Sequence, residues 1–399
     1  MQKTVNRIAF KVKHKAEKTI RAGHPWVYDK SIVKQSKEGE AGDLAIIFDS
    51  KKDKFLACGL YDPDSPIRIK LIQFKESLPI DDIWFENIIQ KAVDKRKAFD
   101  ESQTNAYRLI YGENDGLPGL IVDRYADSLV VKFYSAIWFP YKELIFQRLM
   151  STTPCSNLIV RFSRNVMKAA TEAGMEEGKF IVGDGEEVVE FIENELKFKT
   201  NLVKGHKTGF FLDHRKNRIE VEQLAKELNV LDVFSYIGGF AIHALAGGAE
   251  SATCVDVSEK ALEVAIENAE LNGIEENLRT LPGDAFEILK ELRQRGRMFE
   301  MIIIDPPSFA KKKDEKEKAI VQYRRLVKLA LPILNEDGIL VMASCSSRVK
   351  KEEFFEFIED ELKLSGRKFV CFKRHFHDLD HPIKIPEASY LKCGYFKVH

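Results

Sequence analysis

The sequence predicts an α/β fold: a doubly wound, Rossmann-like parallel sheet over the second half, preceded by a β-rich N-terminal domain and a central α+β domain. Three observations carry that prediction. From Val188 onward, apolar strand segments alternate with helical ones, the order expected of a parallel sheet with helices on both faces. The strand segments NVLDVFS, SATCVDVS, FEMIIID and GILVMASCS are near-continuous apolar runs, as when both faces are covered. The first 75 or so residues instead hold short alternating segments broken by Gly39, Gly42-Asp43, Asp62-Pro63-Asp64 and Pro66. A chain of 399 residues also exceeds what one core supports. The expected domains are residues 1–76, 77–190 and 191–399.

In the first domain, strands are expected at Arg7–Lys13, Leu44–Phe48, Phe55–Leu60 and Ile67–Leu71. Up to Gly23 the chain holds seven Lys or Arg and one Glu. That start reads either as a solvated, mobile segment or as a phosphate-contacting surface. The central domain begins with a helical pattern over about residues 84–103, followed by two apolar strands flanking ENDGLPG and a helix near Tyr141–Met150. LIVRFS and the stretch around Val182–Glu190 suggest further strands. Then EFIENELKFKTNL reads as a strand, Arg215–Leu228 as a helix, and NVLDVFS as the strand before a Gly-rich turn. Helices near Glu259–Asn272, Phe286–Arg295 and Ala319–Leu331 separate the remaining strands.

Composition narrows the class. Hydrophobic residues at 44% and charged residues at 31% describe an ordinary globular chain. With 62 Lys+Arg against 62 Asp+Glu, no uniformly basic coat exists, although a local basic face is not excluded. The six cysteines are scattered without a CxxC pair or zinc-like spacing, so reduced thiols and no metal are expected. The polar, basic start lacks an apolar signal region, and no apolar run nears the ~18 residues of a membrane span, so a cytoplasmic protein with no membrane contact is expected.

Doubly wound sheets bind ligands beyond the carboxyl ends of their strands. The first strand leads into Asp232-Val-Phe-Ser235-Tyr236-Ile-Gly238-Gly239, a turn whose glycines let the backbone approach a nucleotide-like ligand. The turn departs from GxGxxG, which disfavours a dinucleotide. Asp256 ends the second strand 18 residues after Gly238, the spacing of a ribose-binding carboxylate; the alternative is a cap for the helix near Glu259. Asp284 follows the third strand, where a carboxylate could hold an adenine amino group. The fourth ends in Asp305-Pro306-Pro307-Ser308-Phe309, whose prolines fix the backbone and orient Asp305 toward the polar edge of a planar base. After the fifth comes Cys345 between serines, past the apolar run and beside that loop. A strand cysteine is usually packing, but this position favours a nucleophile; the other five cysteines read as packing.

With these residues assembled, the chain resembles the class I S-adenosylmethionine-dependent methyltransferases. It is most similar to the bacterial ribosomal RNA cytosine-5 methyltransferases with an N-terminal PUA domain, enzymes of 23S large-subunit RNA. HPWVYDKSI from His24 and the Asp62–Ile67 turn match the PUA end, and YGENDGLPGLIVDRY from Tyr111 matches the central domain. GHKTGFFLDHRKNR, DVFSYIGGF, DPPSFA, SCSS and DHPIKIPEASYLKC match the catalytic domain. The resemblance implies S-adenosylmethionine as cofactor, with Phe211, Asp213 and Arg215 beside its methionine end. Asp232, Ser235, Tyr236 and Gly238 would cradle it, Asp256 would hold the ribose, Asp284 the adenine, and Asp305 would border the same site.

The implied chemistry is attack of Cys345 sulfur on carbon 6 of cytosine, which makes carbon 5 nucleophilic, while Asp305 hydrogen-bonds the ring's amidine edge. The base must be reached outside a helix stack, so RNA is the expected partner, single-stranded or flipped out. Pro306 and Pro307 would frame the base, Phe309 and Tyr236 could stack on it, and Lys311-Lys312-Lys313, Arg324-Arg325, Lys204 and Lys207 could bind phosphates. The lysine run is equally an exposed loop. Many RNA cytosine-5 enzymes carry a second Cys after the loop proline; here Pro307-Ser308 stands there, so product release must differ. Related Asp-Pro-Pro loops serve guanine methylation without any Cys, so the base choice rests on Cys345. A guanine-nitrogen methyltransferase and an inactive RNA-binding assembly factor remain the alternatives. A homodimer paired through the central domain is left open.

Overall fold

The short alternating segments of the first 75 or so residues become one six-stranded sheet in the computed structural model, which describes residues 5–310 and 313–399. Its strands are β1 (Arg7–Val12), β2 (Trp26–Val27), β3 (Ile32–Gln35), β4 (Leu44–Phe48), β5 (Phe55–Tyr61) and β6 (Ile69–Phe74), in the order β2-β6-β5-β4-β1-β3. The basic start differs from a mobile tail, because His14–Arg21 forms helix α1. Ile20 of α1 is buried, and the Glu17 carboxylate accepts the Ser50 N–H at 2.8 Å. Lys13, Lys15 and Lys18 stay exposed around that anchored helix.

The next segment opens with α2 (Asp82–Arg96), capped by the Asp81 side chain accepting the Trp84 N–H. Its sheet holds β7 (Ala106–Tyr111), β8 (Leu120–Tyr125), β9 (Ser128–Phe133), β10 (Asn157–Phe162) and β11 (Phe180–Val182), in the order β11-β10-β9-β8-β7. Helices α3 (Lys142–Thr152) and α4 (Met167–Glu172) complete it. The apolar run after ENDGLPG is two strands rather than one. Ala126-Asp127 turns the chain between them, with Ala126 at φ 52°. These two sheets form one unit with Asn201–Phe210 and Leu379–Ile385; Arg96 binds the latter through the Asp380 carbonyl at 3.0 Å.

The second unit comprises Glu190–Thr200, Phe211–Asp378 and Pro386–His399. At its start EFIENELKFKTNL is a hairpin, β12 (Val188–Glu193) paired with β13 (Leu196–Asn201), not a single strand. Asn194 and Glu195 sit at φ 51° and 68°, the two left-handed residues a tight hairpin turn needs. The alternation then runs α5 (Arg215–Leu224), β14 (Asn229–Val233), α6 (Gly239–Ala246), β15 (Ser251–Asp256), α7 (Glu259–Glu270), β16 (Leu278–Pro282), α8 (Ala285–Gln294) and β17 (Phe299–Ile304). It continues with α9 (Lys316–Ala330), β18 (Leu334–Ser344), α10 (Lys351–Leu364), β19 (Phe369–His375) and β20 (Lys392–Val398).

The seven strands lie in the order β16-β15-β14-β17-β18-β20-β19, all parallel except β20, which runs antiparallel to both neighbours. Along β17, Ile302 and Ile304 pack under α8–α10, whereas Met301 and Ile303 pack with residues of α5–α7. That two-sided burial is why the strands read as unbroken apolar runs, each such side chain contributing about 1.5–3 kcal/mol. Among the described residues no helix is long and apolar enough to cross a membrane.

Candidate active site at the carboxyl edge of the parallel sheet

Strand order reverses between β14 and β17, with β15 and β16 on one side and β18 on the other. Such a reversal opens a crevice at the carboxyl ends of the central strands, the usual ligand site of doubly wound sheets. Asp232, in β14, is buried, and its Oδ2 accepts the Ala241 N–H of α6 at 3.1 Å. Burial pushes its carboxyl up to about 8; the Ala241 N–H opposes that shift, while Asp305 and Asp256 add to it. Beyond it, Phe234 and Tyr236 take φ 67° and 51°, and Gly238 takes φ 80°. Two non-glycine residues in the left-handed region cost energy that the fold must offset, and such strain gathers at functional turns. A Cβ on Gly238 would lie 2.9 Å from the Ala265 Cβ of α7, so packing as well as conformation demands this glycine.

The Asp256 carboxylate ties this turn to the next: Oδ2 accepts the Tyr236 N–H and Oδ1 the Ser258 N–H, both at 2.9 Å. Helix α7 is capped by Ser258, so Asp256 is not its cap. Asp284 is exposed and does cap a helix, its Oδ1 accepting the Phe286 and Glu287 N–H groups at the start of α8. Ser235 Oγ and Asp232 Oδ1 are buried polar atoms with no hydrogen-bond partner among the described residues. Together they fit a cradle built for a polar, nucleoside-like ligand.

The segment before α5 supplies more of this edge. Phe211 meets Tyr236 edge to face at 5.4 Å. The buried Asp213 accepts the Tyr390 hydroxyl at 2.6 Å, and the buried Arg215 donates to Asp378 at 2.9 and 3.2 Å. Lys207 lies in the other unit, exposed at φ 55°, where its carbonyl accepts from Lys132. Arg324 is committed to Glu361 and Asp360, whereas the exposed Arg325 lies 4.4 Å over the Phe286 ring. Lys311 and Lys312 lie outside the described residues.

Asp305 follows β17 directly and Cys345 follows β18, and these neighbouring strands bring them to one place. Pro306 is buried and Pro307 exposed; Phe309 is half-buried, edge to face with Tyr323 at 5.2 Å. Between Asp305 and Cys345 stands a residue that sequence reasoning passed over. His214, fully buried ahead of α5, places Nε2 at 3.3 Å from the Cys345 sulfur and 3.3 Å from Asp305 Oδ2. One reactive atom of each of the three lies within 4.8 Å of the others. His214 Nδ1 meets the Asn217 amide at 3.0 Å, and Asn217 in turn meets the Tyr395 hydroxyl. Lys392, also buried, donates to the Ser346 and Val349 carbonyls and so pins the Cys345 loop. Burial pulls its ammonium down to about 8, with Cys345 acting in the opposite sense. Cys254, inside β15, is buried as expected of packing, and burial pushes its thiol well above the ordinary range.

Comparison with known proteins converges on this architecture. Residues 159–367 match the S-adenosylmethionine-dependent methyltransferase family, and residues 10–74 match the PUA-like domain. A ribosomal RNA large subunit methyltransferase of Deinococcus radiodurans is 39% identical over 400 residues, covering 98% of this chain and 98% of that one. A ribosomal RNA large subunit methyltransferase I of Tolumonas auensis is 37% identical, covering 94% of this chain and 96% of that one. In fold, the chain is similar to a protein described as a SAM-dependent methyltransferase from Streptococcus mutans, with TM-score 0.83 and 23% identity over 98% of this chain and 100% of that one.

Proposed function

The chain belongs to the S-adenosylmethionine-dependent methyltransferases and methylates ribosomal RNA with that cofactor; from this premise we propose that the product is 5-methylcytosine, formed through a covalent adduct on Cys345. The observation that carries the proposal is the placement of Cys345 against Asp305 and His214 at the sheet edge. Methylation of a ring nitrogen needs no thiol, whereas carbon 5 of cytosine becomes nucleophilic only after a nucleophile adds at carbon 6.

Bound S-adenosylmethionine supplies an electrophilic methyl group. The chain's residues do the rest. Asp256 and the strained Phe234–Gly238 turn would hold the nucleoside part of the cofactor, with Ser235 Oγ and Asp232 as further polar partners. Phe211, Asp213 and Arg215 would border its methionine end, and Asp284 has a second carboxylate oxygen for the adenine beside the one that caps α8. Asp305 would accept a hydrogen bond from the amino group on the amidine edge of cytosine and so hold the base against Cys345. Pro306, Pro307 and Phe309 would frame the base, and Lys207 and Lys311 would meet phosphates.

We assign residues 1–76 to RNA capture, 77–190 to a central spacer domain and 191–399 to methyl transfer, with large-subunit RNA as substrate. RNA carrying 5-azacytidine at the target should trap the enzyme covalently, and Cys345→Ala should abolish both trapping and methylation. Methylation retained by Cys345→Ala would refute the covalent route.

A further inference from the structure

His214 is a histidine between a thiol and a carboxylate, sealed from solvent and held from behind. What it can do depends on which ring nitrogen carries the proton, and the hydrogen bonds around Asn217 decide that. The Tyr395 hydroxyl has one proton, and the Asn217 backbone carbonyl at 3.2 Å can only accept it. The structure places the Asn217 amide oxygen 3.3 Å from the same hydroxyl and the amide nitrogen 3.0 Å from His214 Nδ1. The two ends match in shape, and the turned amide, NH₂ toward Tyr395 and oxygen toward His214, gives the Nδ1 proton an acceptor and lets the NH₂ donate to the hydroxyl oxygen. That orientation puts the imidazole proton on Nδ1. The Nε2 lone pair then faces the Cys345 sulfur. Cys345, His214 and Asn217 form the same order of groups that activates nucleophilic cysteines on unrelated folds.

We propose that His214 is the acid–base partner of Cys345: Nε2 takes the thiol proton as the sulfur bonds to carbon 6 of cytosine, and returns it when that bond breaks. This rests on the cytosine-5 reading. As the S–C6 bond forms, the C5=C6 electron pair becomes available at carbon 5 and forms the new C5–CH₃ bond while the methyl donor's S–CH₃ bond breaks, its pair staying on the donor sulfur. Loss of the carbon-5 proton to water restores the double bond, the C6–S pair leaves on sulfur, and Nε2–H reprotonates it. Asp305 Oδ2, 3.3 Å from the same nitrogen, faces the imidazolium that exists in between. Among the described residues, Lys392 from β20 and Tyr323 from α9 act electrostatically on Cys345, and Cys393 from β20 and Asp232 from β14 on Asp305. Of these, Lys392 is the cation, and two of its three N–H donors go to the Ser346 and Val349 carbonyls.

The test is the rate of Cys345 alkylation by iodoacetamide against pH, read by peptide mass on the folded full-length chain without RNA. The wild type should show a midpoint below the ~8.5 of a free thiol. His214→Gln should react about tenfold more slowly at pH 7, because only a few per cent of an unassisted thiol is ionised there. Imidazole should restore part of the rate to His214→Ala. Asn217→Ala, which keeps the histidine and loses its orientation, should shift the midpoint in the same direction by less. A wild-type midpoint at or above ~8.5, or identical curves for wild type and His214→Gln, would overturn the inference. Failure of 5-azacytidine trapping alongside the expected alkylation curves would instead reject the cytosine-5 reading and leave the Cys345–His214 pair standing.

Discussion

Asp256, Asp284 and Asp305 look alike in the sequence, each an acid at a strand end, yet their carboxylates are committed differently. Asp284 caps a helix, Asp256 joins two turns by accepting two backbone N–H groups, and Asp305 faces a histidine. Asp256→Ala should therefore weaken S-adenosylmethionine binding about tenfold or more in a calorimetric titration, since the turn it ties loses two charge-assisted bonds. Unchanged affinity would show that the carboxylate is dispensable to the cofactor. Cys345 and Asp305 were legible because position alone marks them: each follows an apolar strand at the ligand-binding edge. His214, Asn217 and Lys392 were not. His214 is 131 residues from Cys345, and Lys392 opens a strand buried at all but one position, where a lysine is not expected. The one hint was the His214/Asn217 spacing of three, one helical turn, inside the GHKTGFFLDHRKNR run that matched the catalytic domain.

At the scale of elements, apolar pattern located the strands of the parallel sheet and missed what turns decide. The β12–β13 hairpin was read as one strand because Asn194-Glu195 does not contain the glycine that usually announces such a turn. The Gly238 turn was read as room for a ligand, and the structure adds that α7 packs onto it. Gly238→Ala should cost about 1–3 kcal/mol in urea unfolding, from the left-handed backbone and the contact with Ala265. An unmoved midpoint would contradict that packing. The same hairpin buries Glu193 against Arg218 and His243. Burial alone would raise the Glu193 carboxyl, but the Arg218 guanidinium and His243 outweigh it and hold it well below its usual 4.5. A carboxyl lowered by folding stabilises the native state above its unfolded value and loses that contribution as pH falls. Stability should thus decline as pH drops below about 4.5, and Glu193→Gln should flatten that decline. At neutral pH the same change should cost about 3–5 kcal/mol, because it strands the buried Arg218 guanidinium. A steep acid profile retained by the variant would assign the transition elsewhere.

At the scale of the whole molecule, the balanced net charge hid how the cations are used. Arg324, a candidate for phosphate, is tied to Glu361 and Asp360, while Arg325 is exposed over the Phe286 ring and Lys13, Lys15 and Lys18 stand exposed on and beside an ordered helix. Composition averages over such differences, and only placement separates them. The alternation of strands and helices did predict the parallel sheet, since each buried run and each connection obeys one local rule. The antiparallel end of the sheet, β19 and β20, escaped because it follows the last βα unit without a pattern of its own, and it carries Lys392 and Tyr395 into the site. The central claim, that these residues converge on carbon 5 of cytosine, is tested most directly by the product. Ribosomal RNA from cells lacking the protein, methylated by it with labelled S-adenosylmethionine and digested to nucleosides, should yield 5-methylcytidine by mass analysis. A methylated guanosine carrying the label would contradict it.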